Sequence, residues 1–302
     1  MDKISKKTEQ ASQGEGKLIK VEVADPAHGH QTLMLKPEAA QEYLSTQGDK
    51  WIFVDNEFTQ SENLSLVNWN TTETVRVLPG LVGGMNANDK SNKMKLLVVG
   101  LGGIGSQLTE LIVPALQISG LNVELNLMDN DVVDESNLAH QRFCREDKNS
   151  PKVEALQQRY QRYEHVKTIA HNNNLTTSSQ LKGYDIIVVA VDRQEPRNLV
   201  HSSDADWVDL RCQGDGWMLI DSDTNTSILN KIPNNKQPVG CQLPGAIESG
   251  NIEFGFAAVA ALGAQWVIQK LRTINGVQSK TPKFSMGYLT HGQMKTSALE
   301  EI

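Results

Sequence analysis

Cysteine is scarce in this chain of 302 residues, and a long apolar run is missing. The three cysteines, Cys144, Cys212 and Cys241, are odd in number and widely spaced, which argues against a disulfide framework. No Cys-x-x-Cys pair exists to hold zinc, and no apolar run approaches the roughly 20 residues that span a bilayer. The polar segment 1–16 predicts a disordered tail and lacks the apolar core of a signal peptide. We therefore expect a cytoplasmic protein with no membrane partner.

The chain also lacks an excess of basic side chains. Lysine and arginine total 29 against 36 aspartates and glutamates, and the formal net charge is −7. Nucleic-acid-binding proteins neutralise phosphates with clustered lysines and arginines, and no such block is present. The sequence therefore predicts no nucleic-acid partner. A hydrophobic content of 39% is ordinary for a globular protein, and the length allows one large domain or two modest ones.

Residues 17–84 alternate short apolar runs with turn residues, which is typical of a small α+β domain. The predicted elements are strands 17–26 and 30–37, a helix 36–48 with Pro37 near its start, and strands 50–55 and 73–78. Two strands, a helix and further strands form the order of a β-grasp domain. The pattern alone fits any other small α+β domain equally well.

The polar segment 85–94 follows, without periodicity or an apolar anchor, and it predicts a linker of at most ~33–36 Å. Beyond it, residues 95–302 alternate apolar strands with helices, which predicts a doubly wound α/β sheet. The predicted strands are 95–100, 122–129 and 185–191, and the predicted helices are 106–117, 150–163 with Ser150 as cap, and 254–274. We expect the last helix to belong to the core, because it contains Gln, Lys and Gly263.

The stretch VVGLGGIGS places Gly100, Gly102 and Gly105 in G-x-G-x-x-G spacing between a predicted strand and a helix, with Gly103 among them. Such glycines allow a tight turn and a close approach of the backbone to phosphate, whose charge the helix N-terminus favours. Asp129 ends the next strand, where a carboxylate can accept ribose hydroxyls. These features predict a nucleotide site, and they fit NAD and ATP equally well.

The segments MDNDVVDESNLAHQRF and SPK resemble the nucleotide motif of the ThiF/ubiquitin-activating-enzyme superfamily. In that motif Asp-x-Asp-x-Val precedes Ser-Asn-Leu-x-Arg-Gln, and a lysine follows about a dozen residues later. The segment VVAVDRQEPRN resembles the family's magnesium segment, and the resemblance covers about residues 95–270. The matching positions are Asp129, Asp131, Val133, Ser136, Asn137, Leu138, Gln141, Lys152, Asp192 and Arg197.

The resemblance implies an enzyme that uses ATP and Mg²⁺ to adenylate a carboxylate. By this analogy Asp129 binds ribose, with Asp131 and Ser136 nearby. Asn137 and Gln141 contact the nucleotide. Lys152 contacts the phosphates, and Asp192 holds the metal.

Three departures from the family's pattern bear on this expectation. His140 stands where the family has an arginine, and Arg142, two places further on, is a candidate substitute. Arg193 replaces an asparagine after Asp192. The helical segment that usually precedes the first strand and lends an arginine to the neighbouring subunit is replaced by the predicted linker.

The stretch VRVLPGLVGG, which ends at Gly83 and Gly84, is similar to the C-terminal tails of ubiquitin-like proteins and sulfur carriers of the molybdopterin-synthase type. The resemblance implies that residues 17–84 are the protein partner of the adenylating domain, fused in front of it. Gly84 is in peptide linkage to Met85 and therefore offers no carboxylate. Either a protease releases it or two proteins have been joined, and the internal methionine favours the second interpretation.

The sequence also predicts a thioester and a dimer. Many relatives transfer the activated carboxylate to a cysteine, and Cys241, shortly before a predicted helix, is the first candidate. Cys212, after the predicted strand 206–211, is the second, and buried structural cysteine is the alternative for both. Relatives dimerise through the adenylation domain, so we expect a homodimer. The alternative functions are an NAD-dependent oxidoreductase with an accessory domain, or a scaffold without catalysis.

Overall fold

The computed structural model describes residues 17–25, 29–47, 50–79, 93–232 and 240–293. The chain divides into two compact units, residues 1–85 and 86–302. The predicted tail 1–16 and the Gly83–Gly84 ending lie outside the described residues. Of the predicted linker, only Lys93 and Met94 are described, and Met94 already begins a strand.

The N-terminal unit is a five-stranded sheet with one helix packed against it. Its elements are β1 (Ile19–Asp25), β2 (Gly29–Leu35), α1 (Pro37–Ser45), β3 (Lys50–Val54), β4 (Glu57–Thr59) and β5 (Thr74–Pro79). The strand order is β2-β1-β5-β3-β4, with β1 and β5 parallel and the other neighbours antiparallel. A 3₁₀ helix, Ser61–Leu66, joins β4 towards β5, and neither it nor β4 is predicted from the sequence.

Alternation along the strands produces the core of this unit. Ile19, Val21 and Val23 of β1 point to one face and are buried, because successive strand residues face opposite sides. Ala40 and Leu44 of α1, four residues apart on one helix face, cover the same core.

The C-terminal unit is built on an eight-stranded sheet. Its strands are β6 (Met94–Val99), β7 (Val123–Met128), β8 (Lys167–His171), β9 (Ile186–Val189), β10 (Asp206–Gln213), β11 (Gly216–Asp221), β12 (Phe284–Tyr288) and β13 (Gly292–Gln293). Its α-helices are α2 (Gly103–Ser119), α3 (Lys152–Tyr160), α4 (Gln194–His201), α5 (Thr226–Leu229), α6 (Ala246–Ser249) and α7 (Gly255–Ile274). The strand order is β13-β12-β11-β10-β9-β6-β7-β8. The strands β10-β9-β6-β7-β8 are parallel, and β11 to β13 extend the sheet antiparallel.

The continuous apolar sequence of β6 reflects burial on both faces of this sheet. Leu96 and Val98 belong to the core cluster that contains residues of α2 and α7, whereas Leu97 and Val99 belong to the cluster on the opposite face. Helices on both faces of a mainly parallel sheet confirm the predicted Rossmann-like α/β architecture. The start of α3 differs from the prediction: the helix begins at Lys152 with Pro151 in the N-cap position, so Ser150 is not the cap.

Among the described residues, no helix combines the length and apolarity needed to cross a lipid bilayer.

Candidate active site

A cavity of about 820 Å³ opens at the carboxyl edge of the parallel strands in the C-terminal unit. Parallel strands deliver the residues that follow them to one edge, so the ends of β6, β7, β9 and β10 meet there. The predicted site residues that line the cavity are Gly100, Gly102, Gly103, Asp129, Asp131, Gln141, Lys152, Asp192 and Cys241. The fold therefore brings most of the predicted set together.

The glycine loop between β6 and α2 is closed too tightly for side chains at two of its positions. Gly100 has a φ of +91°, and a Cβ there would lie 2.5 Å from the carbonyl oxygen of Ala190. A Cβ on Gly105 would lie 1.8 Å from the carbonyl oxygen of Gly100. At Gly102 a Cβ would meet nothing within 4 Å. The loop thus packs against the sheet on one side and leaves room for a ligand at the start of α2.

Asp129, directly after β7, holds this loop in place. One carboxylate oxygen accepts the backbone N–H of Leu101 at 2.6 Å, and the other accepts the N–H of Asp131 at 2.8 Å. Burial raises the pKa of Asp129, and the two N–H donors and the charge of Lys152 oppose that rise. A carboxylate has about four acceptor positions, so Asp129 can fix the loop and still accept ribose hydroxyls.

Lys152 reaches the cavity because the segment after β7 pairs with the start of α3. The Lys152 N–H donates to the Asp131 carbonyl at 2.9 Å, and the Val133 N–H donates to the Ser150 carbonyl at 2.9 Å. The Lys152 side chain is 5% exposed, and its Nζ lies 3.0 Å from Oδ2 of Asp131, whose side chain is 63% exposed. A buried cation thus faces the cavity with a solvent-exposed partner that a phosphate can displace.

Two arginines that line the cavity, Arg197 and Arg211, form ion pairs with the same buried carboxylate. Asp209 of β10 is fully buried and is in contact with Arg197 of α4. Nη2 and Nε of Arg211 lie 2.7 and 3.0 Å from Oδ2 of Asp209, and Nε2 of His201 lies 3.1 Å from the same oxygen. Burial, followed by the charge of Arg211, lowers the pKa of Arg197 to about 9.

Cys212 and Cys241 lie side by side on the cavity wall. Cys212 belongs to β10, which continues past the predicted strand end at Arg211. Interaction with the Cys212 thiol, the backbone N–H of Ile104 and the charge of Arg197 lower the pKa of Cys241, against burial. Interaction with Cys241, together with burial, raises the pKa of Cys212. Cys144 is exposed and does not line this cavity.

The ThiF family profile matches residues 74–301, well over half of the chain. The chain belongs to the ThiF family. No curated protein sequence matches it.

Solved structures share the ThiF fold at low identity. Escherichia coli MccB with MccA-N7isoASN is 18% identical with a TM-score of 0.51. The microcin C7 biosynthetic enzyme MccB in complex with N-formylated MccA is 18% identical with a TM-score of 0.52. In both cases the match covers 67% of this chain and 64% of the other, so the chain spans less than two thirds of these neighbours.

Four of the predicted site residues do not line the cavity: Gly105, Ser136, Asn137 and Arg142. Gly105 instead allows the close packing of the glycine loop. Asn137 and Ser136 belong to a 3₁₀ turn capped by Asp134, whose N–H donates to Oδ1 of Asn137 at 3.2 Å. Arg142 lines a neighbouring cavity of about 590 Å³, and its Nε donates to Oε1 of Gln107.

His140, at the position of a ThiF-family arginine, lines the cavity as a neutral side chain. Burial and the charge of Lys152 lower its pKa, so the imidazole is uncharged at pH 7. Its Nδ1 is buried and, within the described part of the chain, has no hydrogen-bond partner. The histidine therefore replaces the arginine without replacing its charge.

The cavity also contains residues that sequence reasoning does not predict. They are Arg193, Arg211, Gln213, Trp217, Glu253 and Tyr288. All but Arg193 and Glu253 come from the strands β10 to β12, where the sequence contains no family motif. The sequence nevertheless contains an indication, because Asp209 and Arg211 alternate with apolar residues inside β10.

Proposed function

We propose that the chain uses ATP and Mg²⁺ to adenylate the C-terminal carboxylate of a ubiquitin-like or sulfur-carrier protein. The observation that carries this proposal is the arrangement of the cavity. Asp129 lies directly after β7, where its carboxylate can accept ribose hydroxyls, Gly102 leaves open space at the start of α2, and the buried Lys152 supplies positive charge in the same cavity. Membership of the ThiF family supports the same chemistry.

In this reaction a carboxylate oxygen of the acid attacks the α-phosphorus of ATP. A new O–P bond forms, the bond between the α-phosphorus and its bridging oxygen breaks, and pyrophosphate leaves with the electron pair. Lys152 neutralises charge on the phosphates, and the N-terminus of α2 stabilises the same anion.

Asp192 is the residue that would hold Mg²⁺. In the described part of the chain, no group of three or more histidines, cysteines or acids could bind a metal alone. Mg²⁺ needs no such group, because it is usually held by one or two carboxylates together with substrate phosphates and waters. The exposed Asp192 in the cavity fits that pattern. Bound there, the metal would neutralise charge on the phosphates.

Residues 17–84 are proposed to be the ubiquitin-like partner. The order β2-β1-β5-β3-β4, with a parallel central pair and one helix between β2 and β3, supports a β-grasp domain. The sequence Leu-Val-Gly-Gly at 81–84 supports a substrate tail. Since Gly84 is followed by Met85, the intact chain has no carboxylate at that glycine and requires cleavage before activation.

Cys241 is proposed to accept the activated acyl group. Its thiolate would attack the acyl carbon, forming a thioester as the bond from that carbon to AMP breaks. The lowered pKa of Cys241, which follows from its interaction with the Cys212 thiol, the Ile104 N–H and the charge of Arg197, supports this role. The proposal predicts that Cys241→Ser retains adenylation and loses the thioester.

We also propose a homodimer. The described apolar surface of α2 includes Leu111 and Ile118, which are 41% and 67% exposed and lie seven residues apart on one helix face. The buried face of α7 packs within its own unit against α2 and β10, so α2 is the better candidate contact. Light scattering at micromolar concentration should give twice the chain mass, and a monomer would contradict the dimer.

Two measurements test the function. ATP with Mg²⁺ should raise the melting temperature of the chain and NAD should not, whereas equal shifts would favour an oxidoreductase. A synthetic peptide of residues 75–84 with a free carboxylate should gain one adenylyl group in the presence of the chain, ATP and Mg²⁺. The same peptide with a C-terminal amide is the matched control and should remain unmodified. Absence of the adduct from both peptides would reject the proposed activity.

A further inference from the structure

One buried carboxylate serves two guanidinium groups on the cavity wall. Asp209, without exposure to solvent, contacts both Arg197 and Arg211. Its third partner, His201, is neutral, because burial and the two arginines lower the pKa of this histidine to about 4. Asp192 interacts with Arg197 but is assigned to the metal. Two guanidinium groups on this wall thus share the one fully buried carboxylate, and the wall favours a further anion as its ligand.

Arg211 presents unused hydrogen-bond donors to the cavity. Its Nε and Nη2 both donate to the same oxygen of Asp209, which fixes the plane of the guanidinium. Its Nη1 has no hydrogen-bond partner among the residues that the structure describes, and the side chain is 20% exposed. A rigid guanidinium with free donors matches a carboxylate better than a flexible lysine does.

The position of Arg211 along the sheet edge separates it from the nucleotide end. Asp129 follows β7, the glycine loop follows β6, Asp192 follows β9, and Arg211 lies on β10. Neighbouring strands are about 4.8 Å apart, which places β10 about 14 Å from β7. With ribose at Asp129 and phosphates at the glycine loop, Arg211 lies on the far side of the loop from the ribose.

We propose that Arg211, braced by Asp209 and supported by Arg197, binds the carboxylate of the acid that is to be adenylated. The inference rests on the proposed function and assigns its acid-binding residue. Cys212, the next residue in β10, points to the opposite face of the sheet from Arg211, and it lines the same cavity together with Cys241.

Binding of the peptide 75–84, labelled at its N-terminus, tests this assignment by fluorescence anisotropy. The full chain is used with Mg²⁺ and a non-hydrolysable ATP analogue, so no turnover is required. The free-acid peptide should bind wild type more tightly than the amide. Arg211→Gln should weaken acid binding about 10- to 100-fold, the range for a charged hydrogen bond, and leave the amide unchanged.

Two further variants keep the result interpretable. Arg211→Lys retains the charge beside Asp209 and should lose less affinity for the acid than Arg211→Gln. Arg162→Gln removes one positive charge from an exposed position outside the cavity and should bind like wild type. ATP affinity should stay within about twofold of wild type in all three.

The outcomes separate this inference from the proposed activity. Weaker ATP binding by Arg211→Gln would assign the arginine to phosphate, and equal losses for acid and amide would assign it to folding. Either result, or equal binding of acid and amide to wild type, overturns the inference. Acid binding that depends on Arg211, without any adenylyl-peptide, would reject adenylation and leave the carboxylate site standing.

Discussion

The two units of the chain differ in what they bury. In the described residues of the N-terminal unit, the buried set is apolar except for Thr72. The C-terminal unit buries Lys152, Arg197 and Asp209 at the carboxyl edge of its sheet. Burying a charge costs several kcal/mol unless it is well paired. The N-terminal unit thus buries almost only apolar side chains that stabilise its fold, whereas the C-terminal unit also holds buried charge at the cavity, where Lys152 and Arg197 can contact a ligand.

The largest expected effect comes from removing the charge that balances the two arginines. Asp209→Asn leaves the buried Arg197 and the partly buried Arg211 without their shared carboxylate and should destabilise the C-terminal unit by about 3–5 kcal/mol. Hydrogen–deuterium exchange can follow each unit separately and should show faster exchange in β9 and β10. The exposed Asp204→Asn is the control and should change stability by less than about 0.5 kcal/mol. If Asp209→Asn changes the stability as little as Asp204→Asn does, the buried carboxylate does not stabilise the C-terminal unit, and the proposed difference between the units is wrong.

The N-terminal unit should instead respond to loss of apolar volume. Leu44 of α1 is fully buried, so Leu44→Ala should cost this unit about 2–5 kcal/mol. Exchange should accelerate in β1, β5 and α1 and stay unchanged in the C-terminal unit. Leu66→Ala, at a position that is 81% exposed, should have little effect. Equal destabilisation of both units would show that they fold as one.

A substitution of Lys152 tests whether its buried charge serves catalysis or stability. Lys152→Met keeps the buried stem and removes the ammonium, so it should reduce peptide adenylation about 100- to 1000-fold. The thermal stability of the variant should be equal to or above that of wild type, because its ion-pair partner Asp131 is exposed. Full activity in Lys152→Met would exclude a phosphate role for this lysine.

The smallest expected effect is a pH dependence of stability from His201. This histidine has a folded-state pKa of about 4 against an ordinary value of 6.5. Below pH 6.5 the unfolded chain therefore binds a proton that the folded chain does not, and stability falls as the pH falls. Between pH 7.5 and 5.0 His201 should contribute a loss of roughly 1 kcal/mol, allowing for its partial exposure. His201→Gln should flatten the denaturant-derived stability profile, and an unchanged profile would contradict the assignment.

Much of the fold can be predicted from the sequence, because the apolar pattern of each long element matches the way in which that element packs. The apolar run of β6 predicts a strand covered on both faces, and Leu96 and Leu97 enter different core clusters. β4 is missed because its three residues, Glu57 to Thr59, are too few to show alternation. Periodicity therefore cannot predict a strand as short as this one.

The sequence predicts the site only where its residues belong to a continuous motif. The glycine loop, Asp129 and Lys152 lie in segments that carry a recognisable spacing. Arg211 comes from a strand without a motif, and its hydrogen bonds to Asp209, two residues earlier in the same strand, show the direction of its side chain only in the structure. Asn137 illustrates the opposite case, since a motif position is occupied by a residue whose carboxamide caps a local turn.

Pyrophosphate exchange into ATP tests the central claim most directly. With the full chain, Mg²⁺ and the free-acid peptide 75–84, labelled pyrophosphate should enter ATP, because formation of the acyl-adenylate is reversible. Omission of the peptide, its amide form or Lys152→Met should each remove the exchange. Exchange that is absent with the acid peptide, although ATP still stabilises the chain, would contradict adenylation of this tail.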